Sequence, residues 1–64
     1  MKVKVERQGK DDEVIECDSF DLVKAVGIIN GTETDEQGNK LAGFLVGEKR
    51  YFRSLEIVGI SIVK

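Results

Sequence analysis

Leu55-Glu56-Ile57-Val58-Gly59-Ile60-Ser61-Ile62-Val63-Lys64 is the stretch whose reading decides how this chain folds. It reads as a β-strand. Strict alternation puts Leu55, Ile57, Ser61 and Val63 on one face and Val58, Ile60 and Ile62 on the other. A strand apolar on both faces needs cover on two sides. The chain has only 64 residues, near the lower limit for one self-sufficient core. The second cover is therefore expected from another copy, with Val58, Ile60 and Ile62 as the interface of a homo-oligomer.

Upstream, Lys2-Val3-Lys4-Val5-Glu6 alternates as a half-buried strand with one wet face. Gln8-Gly9-Lys10-Asp11-Asp12 supplies turn chemistry, and Glu13-Val14-Ile15-Glu16-Cys17 resumes as a second strand, which makes a hairpin. Asp18 to Asn30 reads two ways. As a helix it has Ser19 as N-cap, Asp21 in the first turn, Lys24 in the last, Gly27 as its end, and Leu22, Val23, Val26 and Ile29 on one face. As a strand it has Phe20, Leu22, Val26 and Ile28 on one face. Its content of Val and Ile favours the strand.

Residues 30–39 form a polar loop with two glycines, an exposed hairpin tip. Lys40 to Val46 is the next apolar run, and Gly43 within it marks a bulge or a close backbone approach. Gly47-Glu48-Lys49-Arg50 turns the chain into Tyr51-Phe52-Arg53, and Ser54 marks a bend or a short helical turn before Leu55. The sum is an all-β domain, 1–64, of about five short strands with at most one short helix: a small SH3-like or OB-like barrel or sandwich. An open sheet packed on one helix is the alternative.

Composition narrows the function classes. One cysteine and no histidine exclude an internal disulfide and the common zinc sites. No cofactor is expected. Residues 1–10 lack the apolar core of a signal peptide, and no run nears the ~18 apolar residues of a membrane span. A lone cysteine fits a reducing cytoplasm. Size and composition have the general look of a small bacterial or phage-borne protein. The net charge of −2 conceals a layout. Lys2, Lys4, Arg7 and Lys10 outweigh Glu6 at one end, and Lys40, Lys49, Arg50, Arg53 and Lys64 outweigh Glu48 and Glu56 at the other. The middle is strongly acidic, a pattern able to give faces of opposite sign.

Four segments invite a chemical reading. Lys49, Arg50, Tyr51 and Arg53, with Phe52 among them, interleave three cations with two aromatics, as a nucleic-acid or nucleotide site would; a charged turn leading into core or edge aromatics is the plainer reading. Asp11, Asp12 and Glu13 head an acidic cluster that a basic protein groove could accept, as in an inhibitor of a DNA-binding host protein; a solvated face is the plainer reading. The 33–39 loop has carboxylates near glycine, but with Gly38 in the glycine position of a calcium loop, Phe44 falls where the bidentate Glu is required. Cys17 lacks a base and is flanked by Glu16 and Asp18, so it is expected to be a buried structural residue. Signatures of hydrolase triads and phosphate loops are absent from the sequence. The expectation is a non-enzymatic interaction module that self-associates through residues 55–64 and offers charged faces or the 30–39 loop to a protein partner.

Overall fold

Val3 and Val5 are fully buried while Lys2, Lys4 and Glu6 point away from the core, so the alternation of β1 (Lys2–Arg7) is realised as read. The computed structural model describes residues 1–63; Lys64, the last residue of the expected final strand, lies outside them. A turn through Gly9, whose φ of +72° suits glycine, leads into β2 (Glu13–Glu16), antiparallel to β1 with Val3 opposite Ile15. The other edge of β1 carries β5 (Ile57–Val63), also antiparallel, giving a sheet of order β2-β1-β5. A second, two-stranded sheet is the hairpin of β3 (Gly43–Val46) and β4 (Arg50–Arg53). A 3-10 turn, Ser54–Glu56, joins β4 to β5, at the point where Ser54 signals a bend.

The ambiguous segment is a helix, α1 (Leu22–Asn30), and the strand reading is overturned. Its capping outweighs its β-branched content. Asp21 is the N-cap and accepts a hydrogen bond from Lys24 N at 3.0 Å. Gly31, at φ +76°, ends the helix, its N–H directed to the Gly27 and Ile28 carbonyls. Gly27 is thus an interior residue and not the terminator. The buried face is Ala25 and Ile28, with Leu22 and Ile29 half-buried beside them, and Val23 and Val26 are exposed.

Among the described residues the molecule is therefore mostly β, with five strands in two antiparallel sheets and one α-helix. Among the described residues no ladder joins the sheets, and β2 and β5 both border open edges. The core lies between them. Val3 and Val5 from one sheet meet Phe44, Val46 and Phe52 from the other, with Ala25, Ile28 and Ile57 filling the space under α1. Among the described residues no helix is long and apolar enough to cross a membrane.

Candidate interaction surface

β5 carries the residues expected at an interface, and its geometry departs from strict alternation. Arg7 pairs with Ile57 but Glu6 pairs with Gly59, so Val58 is an extra residue, a β-bulge. Beyond the bulge, Ile60 lies opposite Val5 and Ile62 opposite Val3, on the core side of the sheet. Ile57 shares that side. The bulge therefore moves all three isoleucines to one face, and the two-faced apolar strand is corrected: the other face presents Gly59, Ser61 and Val63 beside the charged column Lys2, Lys4 and Glu6. The cover is incomplete. Ile60 is half-buried against the core, but Ile62 is 41 % exposed and Val58 is 64 % exposed. Val58, the bulged residue, lies outside the core. Leu55, in the adjoining 3-10 turn, is 76 % exposed.

The backbone of β5 is equally unpartnered on its outer edge. β1 takes one side of the strand. Among the described residues, Val58 to Val63 make no main-chain hydrogen bond outside that ladder.

The basic and aromatic segment is divided by the pleat of β4. Arg50 and Phe52 share the core side, Tyr51 and Arg53 the outer side. Arg50 donates Nε to Glu13 Oε2 and Nη2 to Glu13 Oε1, the latter at 2.8 Å. Arg7 Nη2 donates to the same Oε1 at 3.3 Å. Both guanidiniums lie over the Phe52 ring, Arg50 at 4.9 Å and Arg7 at 5.7 Å from its centroid. The hydrogen bond from Arg50 holds the Glu13 carboxyl below its ordinary range, and Glu13 in turn raises Arg50. Arg7 Nε is buried with no hydrogen-bond partner among the described residues. Arg53 pairs with Glu56 at 3.6 Å. Tyr51 lies across Gly43: a Cβ there would stand 2.7 Å from the Tyr51 hydroxyl and 2.2 Å from the Phe52 carbonyl. Gly43 thus marks a close backbone approach. Of the four residues expected to face a nucleic acid, Lys49 has no ion pair among the described residues, Tyr51 is half exposed, and the two arginines are already engaged.

The acidic residues are dispersed in the same way. Glu13 is clamped by Arg50 and Arg7, Asp12 pairs with Lys4 at 3.5 Å, and Asp11 lies exposed in the turn. Cys17 is half-buried, not fully buried. Its carbonyl accepts from the N-terminal ammonium at 2.8 Å. It lines a groove of about 660 Å³ between the end of β2 and the β3–β4 turn. A smaller groove of about 370 Å³ runs between α1 and β3. In the 30–39 loop the Asp35 carboxylate accepts from Gln37 N and Asn39 N, both at 2.9 Å, a local turn and not a cation cage. Among the described residues no cluster of His, Cys, Asp and Glu is arranged to hold a metal ion.

The Arg7–Glu13–Arg50–Phe52 cluster is the feature that sequence reasoning missed. Glu13 and Arg50 are 37 positions apart, and nothing in their spacing signals a pair. One exposed apolar surface is the β5 edge with Leu55; Val14 on β2, Val23 on α1 and Leu45 on β3 are exposed elsewhere. No protein-family model, curated protein or solved structure matches this chain.

Proposed function

We propose that the protein is a small non-enzymatic interaction module that self-associates through β5. The exposure of Val58, at 64 %, on a strand whose outer edge has no hydrogen-bonded neighbour among the described residues carries this reading. Burying a Val or Ile side chain is worth roughly 1.5–3 kcal/mol, so a strand that leaves Val58 and Ile62 in water has free energy to gain from a partner. The surface ion pairs of Arg50 with Glu13 and Arg53 with Glu56 favour this reading over nucleic-acid binding, and those of Asp12 with Lys4 and Glu13 with Arg7 and Arg50 favour it over an acidic inhibitor. We read the two sheets as an opened small barrel of the SH3-like or OB-like kind, with β2 and the β3–β4 turn facing each other across the 660 Å³ groove. The unpaired Cys17 suits a reducing cytoplasm.

The test is Val58→Lys. Val58 is exposed, so the variant keeps its circular dichroism spectrum. By light scattering the wild type should weigh more than one 7.1 kDa chain and the variant should fall to one. A variant with unchanged mass and unchanged fold removes β5 as the interface.

A further inference from the structure

We infer that the partner of β5 is β5 of a second copy, paired edge to edge and antiparallel about a twofold axis through Ile60, which joins two three-stranded sheets into one; the inference rests on the self-association proposed above. Three independent features converge on it. The first is chemical. Ile57 to Val63 contains no charged residue and no proline, two of the devices that guard exposed strand edges; a further one, a bulge, sits at Val58, and Gly59 to Val63 beyond it pair regularly with β1. The opposite edge of the same sheet is guarded: β2 is Glu13-Val14-Ile15-Glu16, and pairing it with itself would set acid against acid. An assembly built on β5 therefore closes at two copies and does not propagate.

The second feature is the spacing of the exposed side chains. Val58 and Ile62, the two residues of β5 with the largest unburied apolar area, stand two places before and two places after Ile60. An antiparallel twofold through Ile60 sets Val58 of one copy against Ile62 of the other, twice, with Ile62 on the side of the sheet that already carries Val3 and Val5. On the opposite side it sets Gly59 against Ser61, a pair small enough to approach closely. No charge is buried and each exposed aliphatic residue meets another.

The third feature is the backbone. Outward N–H and C=O groups of β5 lack main-chain partners among the described residues, and an identical antiparallel strand supplies donors and acceptors in matching order. A partner of unrelated sequence could offer the backbone bonds; the spacing about Ile60 is what selects a second copy.

A register-specific cross-link tests the pairing. In a Cys17→Ser background, Val58→Cys and Ile62→Cys together should form two disulfides between copies under oxidised glutathione, each releasing two thiol protons and reducing one glutathione disulfide to two thiols. The product should run at twice 7.1 kDa on a non-reducing gel. Either cysteine alone should leave most of the chain at the single mass. Within one copy the two positions are four residues apart along an extended strand, about 13 Å at the usual rise, beyond the reach of a disulfide. As a second readout that needs no substitution, the outward-pointing amides among residues 58–62, those not bonded to β1, should exchange at least tenfold more slowly in the concentrated wild type than after dilution. A wild type heavier than one chain that neither cross-links in the double variant nor protects those amides overturns the edge pairing and leaves self-association standing. A wild type that is a single chain at every concentration overturns both.

Discussion

Glu13 ties three strands together with one carboxylate. It sits on β2, accepts from Arg7 on β1 and holds Arg50 on β4, so it links two sheets that share no ladder among the described residues. Both cations rest on Phe52, a core ring only 2 % exposed, so the polar clamp and the apolar core are coupled. Arg50 holds the Glu13 carboxyl below its ordinary value of 4.5. A folded-state value below the unfolded one means that the contribution is complete above about pH 4.5 and is lost as pH falls through the depressed folded value. Glu13→Gln should therefore lower the melting temperature at pH 7 by a few degrees. The gap from wild type should narrow as the pH falls through the depressed folded value, where the wild-type carboxyl also becomes neutral. A gap that stays constant from pH 7 to pH 2 would show that the charge on Glu13 is not what holds the sheets. Phe52→Ala should cost far more, about 3–5 kcal/mol, and leave no cooperative transition in urea. At this scale the sequence was legible only in part. The burial of Val3 and Val5 follows from alternation, but the pairing of residues 13 and 50 depends on how two hairpins meet.

Elements were legible where local signals agree with each other. The β1–β2 hairpin has alternation on both sides of a Gly- and Asp-containing turn, and it forms as read. Ser54 marks the 3-10 turn that separates β4 from β5. The helix was misread because two local signals conflict. Val23, Val26, Ile28 and Ile29 favour extension, while Asp21 and Gly31 bracket a helix of nine residues. The caps prevail because the sheets leave a core face open, and a helix presenting Ala25 and Ile28 covers it. Asp21→Ala should therefore cost about 1 kcal/mol, a fall of about 4–8 °C in the melting temperature of a domain this size; no change would mean that α1 is held by packing alone. The bulge at Val58 was not legible, because the extra residue is defined by its mismatch with β1 and not by its own sequence. Gly43→Ala tests the β3–β4 hairpin. Its Cβ would stand 2.2 Å from the Phe52 carbonyl, a backbone atom that cannot give way, so the variant should be mostly unfolded at 37 °C. A variant as stable as the wild type would contradict the close approach.

As a whole, a chain of 64 residues works with a stability of order ~0.1 kcal/mol per residue, and no disulfide is available to it. Its own helix and sheets cover Ile57 and most of Ile60 but leave Val58, Ile62 and Leu55 in water. The expected strand apolar on two faces is not found: its three isoleucines share one face, and Val58 and Ile62 are exposed, as are Val14, Val23 and Leu45 elsewhere. A second copy would add burial and backbone hydrogen bonds without adding chain length, so stability should rise with protein concentration. The most direct measurement is the mass of the unmodified protein by light scattering over a hundredfold range of concentration. The account predicts a species of twice 7.1 kDa that dissociates to a single chain on dilution; a single chain of 7.1 kDa throughout would contradict it.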